Sequence, residues 1–224
     1  LRKNELSSCV PYAKNIVSLG TSSFIMQLTN SLVTICCNHV LSSTGGDIYI
    51  SVMTIVSSVR QLVETPIHAM NEGASPILSY NYGARKLDRV REAYLKAAIS
   101  ATIISTVSFI CFQLFPRQII GIFGSESEAY FRFAEKFFRI FLFCTFINGL
   151  QPITANFFTA IGKANRGIFL SLTRQVIFLL PLMIILPIFF GIEGVMFSAP
   201  IADGFAAVCA ITFAVKELKS FQKL

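Results

Sequence analysis

Six long apolar stretches, at about residues 15–41, 48–80, 92–115, 129–161, 167–189 and 194–216, constrain this chain more than any other feature. About 20 mostly apolar residues in a helix cross the hydrocarbon of a bilayer. Charged residues make up 14% of the 224 residues, against roughly 25% in soluble domains, too little polar surface to coat a water-soluble globule. None of the stretches alternates polar and apolar side chains as a barrel strand does. A helix satisfies its own backbone in lipid, so all six read as helices. The expected fold is an all-α integral membrane protein. It has a cytoplasmic segment at 1–14, a six-helix membrane lobe at 15–216 and a cytoplasmic tail at 217–224.

The interruptions have local causes. Residues 42–47, SSTGGD, read as a turn with Asp47 placed to cap the next helix. Residues 115–128 carry Pro116, two glycines and a Ser125–Glu128 capping box. Glycines bound the turns IGKANRG (161–167) and FGIEG (190–194). Lysine and arginine then set the orientation. With residues 1–14 inside, the inner segments hold thirteen of these cations, whereas the outer ones hold only Arg117, Arg132, Lys136 and Arg139. Both ends are expected in the cytoplasm and the helices in the plasma membrane. The net charge of +7 is then a topology signal, and nucleic acid is not an expected partner. The six cysteines lack Cys-x-x-Cys spacing and mostly lie in apolar stretches, as packing residues do, so no metal site is expected.

Charges inside apolar stretches are costly and face protein or water. Arg60, Glu64, His68 and Glu72 follow one another at four-residue intervals, a single stripe along the second helix. Pro66 lies within that stripe and favours a kink. One reading is a proton or cation site, with Glu64 leading and His68 as relay. The other is an Arg60–Glu64 pair that only holds the helix in place. Counting 1.5 Å per residue puts Arg174 at the depth of Glu72, which makes them candidate partners. The same count puts Asp203 too deep to touch Arg174 but level with Glu64. The fourth helix adds Asn148, Gln151 and Asn156 near Gly149 and Pro152, the makings of a polar cavity. Phe157 and Phe158 beside them read as walls for an apolar cation. PILSYNYGARK on helix two and PITANFFTAIGKA on helix four form a weak internal echo. No catalytic motif is present, and an enzyme is the distant alternative.

The residues EGASPILSYNYGARKLDRV (72–90) resemble the end of the second helix in the C-terminal lobe of multidrug and toxic compound extrusion (MATE) transporters. Residues 150–203 are similar to the fourth to sixth helices of that lobe. The resemblance implies one lobe of a twelve-helix antiporter in the bilayer. Such a protein exports drugs and small organic cations in exchange for H+ or Na+ by alternating access, without a cofactor. The chain, beginning at Leu1, is then expected to be the second lobe, with an N-terminal six-helix lobe as its partner. Some branches of the family place cation-binding acids on the first and fourth helices of this lobe. Here the first helix has none, and the fourth has none after Glu135. Flippases of lipid-linked oligosaccharides or polysaccharides share the architecture and are the nearest alternative.

Overall fold

A computed structural model describes residue 28 and residues 31–43, 47–123 and 128–221. The described residues form helices and short turns, with no strand among them. In order they are α1 (Ser31–Ser43), α2 (Asp47–Gly83), α3 (Leu87–Leu114), α4 (Pro116–Gly121), α5 (Glu128–Phe141) and α6 (Thr145–Asn148). There follow α7 (Leu150–Ala160), α8 (Ala164–Leu172), a π-helical segment (Thr173–Leu179), α9 (Leu180–Phe190) and α10 (Ile192–Phe221). Most of the expected first helix before Ser31, residues 44–46 of the SSTGGD turn and Ser125 of the capping box lie outside the described residues, while Ser42 and Ser43 end α1 and Asp47 opens α2.

Among the described residues three helical stretches are long and apolar enough to cross a membrane: Leu87–Leu114, Ala164–Phe190 and Ile192–Phe221. A fourth is assembled from Tyr130–Phe141 and Thr145–Ala160, which meet at 41°. The 37-residue α2 is not among them, and its middle carries the charged stripe. It runs unbroken through Pro66 and Pro76.

The expected single helix over 129–161 is instead broken twice, after Phe141 and at Gly149. At the second interruption Gly149 keeps helical angles, φ −68° and ψ −24°, and packs closely. A Cβ there would stand 2.7 Å from Ser105 Oγ and 3.1 Å from the Ala101 carbonyl oxygen. The missing side chain lets the junction of α6 and α7 press against α3. Pro152 follows in the first turn of α7, where a missing N–H costs nothing.

The ends of α2 and α7 close in the same way. Lys86 N–H donates to the Asn81 carbonyl at 2.9 Å, and Lys163 N–H to that of Phe158 at 2.8 Å. Both are Schellman turns, and each needs a left-handed residue. Gly162 fills that place at φ 78°, but in α2 it is Arg85, at φ 57°, while Gly83 stays helical. The sequence echo between these helices thus corresponds to a shared helix end, which is rich in Lys and Arg and is called the basic end below.

Apolar side chains gather in two clusters. One joins α1, the first half of α2, α5 and the start of α10, around Phe137, Phe138, Val56 and Val195. The other, toward the basic end, joins the second half of α2, α3, α7 and the end of α10, around Tyr94, Phe157, Phe158 and Leu170. In lipid the transfer of apolar surface gains little, so close contact and dispersion hold such clusters. Among the buried members the clusters part on α2 between Val59 and Ile67, and on α10 between Ala202 and Ala214. The charged residues stand at that parting.

Candidate functional site

Arg60 is the hub. Its Nε donates to Glu64 Oε1 at 2.8 Å, one turn along α2. Its Nη2 reaches α10 and lies 3.3 Å from both oxygens of Asp203. Arg174, at the start of the π-helical segment, donates from Nε to Asp203 Oδ1 at 2.6 Å. Asn148 of α6 donates from Nδ2 to Glu64 Oε1 at 3.3 Å. Four elements thus converge on two carboxylates and two guanidiniums with balanced formal charge. Asp203 is 3% exposed, each arginine 13%, and Glu64 33%. Buried charges persist only when paired and hydrogen-bonded, and each member here has at least one such partner.

The Arg174–Asp203 contact overturns two expectations from the residue count. Arg174 does not pair with Glu72, which is exposed on α2, and it does touch Asp203. The count treated helices as parallel rods and side chains as points. A guanidinium on a long flexible stem spans the difference in depth.

The network forms one wall of a cavity of about 470 Å³. Thr34, Cys37 and Asn38 of α1 face it from one side, and Gln175, Leu179 and Met183 from another. Arg60, Glu64, Arg174 and His68 lie on its lining, whereas Asp203 does not. Sequence reasoning passed over Ser57, Gln61, Thr65 and Gln175, which line it too. The first three had a signal, a second four-residue stripe one position beyond Glu64 and Arg60. Gln175 had only its place beside Arg174.

Other predicted residues lie elsewhere. Glu72 is outside the cavity lining. Gln151 is buried and donates to the Leu170 carbonyl at 2.7 Å, tying α7 to α8. Asn156 donates to the Asn71 carbonyl at 2.9 Å, tying α7 to α2. Phe157 and Phe158 do not wall a site: both are fully buried in the cluster near the basic end. They face inward because Tyr94, Phe213 and Phe221 close around them. Among the described residues no group of three or more His, Cys, Asp or Glu is arranged to hold a metal ion.

Known proteins match this architecture along nearly the whole chain. The MatE family model matches residues 22–185. The multidrug export protein MepA of Staphylococcus haemolyticus is 25% identical over 98% of this chain and 49% of its own length. MepA of Staphylococcus aureus strain RF122 is 24% identical over 88% and 43%. This chain therefore spans about half the length of the curated relatives it matches. A MATE family transporter solved in an outward-facing conformation superposes with a TM-score of 0.86 at 22% identity, over 96% of this chain and 48% of that one. A transporter of the MOP superfamily from Pyrococcus furiosus superposes with 0.86 at 21% identity, over 100% and 50%. A helical membrane lobe with a charged cavity, matched over most of its length by that family model, belongs to the MatE family of multidrug efflux transporters.

Proposed function

We propose that this chain is one six-helix lobe of a secondary active antiporter, working with a second lobe to export drugs or organic cations across the plasma membrane in exchange for protons. The observation that carries the proposal is Glu64, held on one oxygen by Arg60 and Asn148 while its side chain lines the cavity. Its Oε1 accepts from Arg60 and Asn148, and the side chain is 33% exposed on the cavity lining. A proton needs one oxygen. A sodium ion needs several at once, and here the Asp203 oxygens and Glu64 Oε1 already face guanidiniums. The resident arginines therefore favour H+ over Na+ in this lobe. His68 lies one turn from Glu64 toward the basic end and extends the titratable path. The concentration of Lys and Arg at that end supports a cytoplasmic location for it and for both termini.

Exchange follows if Glu64 serves proton and substrate in turn. Protonated, it offers the cavity a neutral wall; ionised, it offers the charge an organic cation needs. Alternating access between the lobes would deliver each to the proper side. The test is dye efflux from vesicles holding the intact protein, driven by a pH gradient or by a Na+ gradient. A pH gradient should drive efflux and a Na+ gradient alone should not. Glu64→Gln should lower the proton-driven rate by about tenfold or more. Unchanged rate and pH dependence in that variant would remove Glu64 from the mechanism. Full energisation with no effect on any lipophilic cation would turn the reading toward lipid-linked flipping.

A further inference from the structure

The α2–α3 and α7–α8 turns close alike and both carry cations, but only one set is neutralised. Lys163 and Arg166 both bond to Glu217. At the α2–α3 turn, Arg85, Lys86 and Arg91 are exposed and have no acidic partner among the described residues. Residues 85–96 hold five cations and two acids, and one of those acids, Glu92, pairs with Lys96 at 2.7 Å. Arg85 also holds the left-handed place, φ 57°, a conformation that is costly for any residue but Gly. Such strain concentrates at functional places.

Beyond this turn α3 has two faces. Val90, Tyr94, Ala98, Ala101, Ser105 and Phe112 are buried in the lobe. Leu95, Ile99, Ile103, Val107, Ile110 and Leu114 are exposed, and their spacing of three or four residues makes them one apolar column. The exposed side of α2 is different: Gln61, Thr65, His68 and Glu72 interrupt it, as suits water or a second lobe. The α3 column suits hydrocarbon. From Leu95 to Leu114 the helix rises about 29 Å, matching the roughly 30 Å of a bilayer's hydrocarbon. Leu95 then marks the hydrocarbon edge. Arg91, one turn earlier on the same column, stands about 6 Å beyond that edge, at headgroup depth. Tyr80, exposed near the same end of α2, suits that zone too.

We infer that the α2–α3 turn and the head of α3 form a binding site for an anionic phospholipid of the leaflet at the basic end. Its phosphate meets Arg91, with Arg85 and Lys86 adding charge, and an acyl chain lies along the column that starts at Leu95. A guanidinium matches a phosphate bidentately, and each cation near a membrane surface adds to the attraction for anionic lipid. A zwitterionic lipid brings its own ammonium to the same cations and gains less. The cations of the α7–α8 turn offer no equal site, because Glu217 already holds them. The inference concerns the lipid side of the lobe and does not depend on what the cavity carries.

The test is native mass spectrometry of the intact protein in detergent, titrated with dioleoyl phosphatidylglycerol or dioleoyl phosphatidylcholine. The two lipids share their chains and differ in headgroup charge. The first phosphatidylglycerol should bind at least about tenfold more tightly than the first phosphatidylcholine. Arg85→Gln with Arg91→Gln should bring that ratio within about threefold of one. Lys216→Gln with Lys219→Gln removes the same charge from exposed places on α10 at the same end, and should leave the ratio within about twofold of wild type. If the arginine pair does not fold, Arg91→Gln alone should lower the ratio at least about threefold. Inorganic phosphate in excess should leave phosphatidylglycerol bound, since it has no chain to lay on the column. Wild type without a preference overturns the inference, as does a preference that survives loss of both arginines. Equal losses in the arginine and lysine pairs overturn it as well, because they reduce the effect to net charge. Displacement by free phosphate removes the column from the site and overturns a lipid as its ligand.

Discussion

Asp203 and Glu217 lie on the same helix, are each 3% exposed and are each gripped by two cations, yet their surroundings differ. Asp203 faces Arg60 and Arg174, both nearly buried, with a second acid completing the balance and a cavity beside them. Glu217 faces Lys163, and Arg166 Nη1 at 2.6 Å, whose side chains are 36% and 48% exposed. The tie at Glu217 keeps α10 helical to Phe221, five residues beyond the expected end at 216. It also holds α10 against the turn between α7 and α8, with Phe221 packed near Tyr82 and Phe157. One acid thus anchors an enclosed charge network, and the other fastens a helix end whose cations can turn to water. Two cations on a buried acid do not by themselves mark a functional site; what sets Asp203 apart is that its cations are enclosed and front a cavity.

That contrast has measurable consequences. Asp203→Asn strands two enclosed guanidiniums and should cost about 3–5 kcal/mol of stability, read from denaturant or thermal unfolding in detergent. Glu217→Gln releases Lys163 and Arg166 into water and should cost about 1.5–3 kcal/mol in the same assay. Equal losses would erase the distinction between the two acids. The exposed Arg117–Glu128 pair, joined at 2.6 and 3.1 Å, should matter least. Hydrogen bonding from Arg117 lowers the Glu128 pKa below its ordinary value. Its stabilisation is therefore complete above the ordinary carboxylate range and fades as pH falls through the lowered value. Glu128→Gln should flatten that acid slope and leave neutral-pH stability nearly unchanged.

Much of the site could be read from spacing alone. Four-residue intervals put Arg60, Glu64 and His68 on one face, and the Arg60–Glu64 bond is a contact within one helix. The partner on α10 was beyond such reasoning, because side-chain reach and helix tilt, not residue counts, bring Arg174 to Asp203. In the sequence Gly149 and Pro152 read as neighbours of a polar cavity within one unbroken span. The 41° bend falls earlier, between Phe141 and Thr145, and the close approach at Gly149 involves Ser105 and Ala101 of α3, far away in sequence. Nothing in TRQVIFL signals a π-helical turn, so the aim of Arg174 and Gln175 emerged only with the fold.

The proposal turns on Glu64 exchanging a proton for the substrate. Proton release on binding of a lipophilic cationic dye can be measured in weakly buffered solution near the midpoint of the pH dependence of efflux, with the intact protein. The other titratable and charged groups of the network and the cavity lining are Arg60 and His68 on α2, Asp203 on α10, Arg174 on the π-helical segment and Cys37 on α1. Wild type should release up to about one proton per ligand bound, and Glu64→Gln close to none. Equal release by both proteins would assign the proton to another of these groups, and binding by wild type with no release at all would contradict exchange at Glu64.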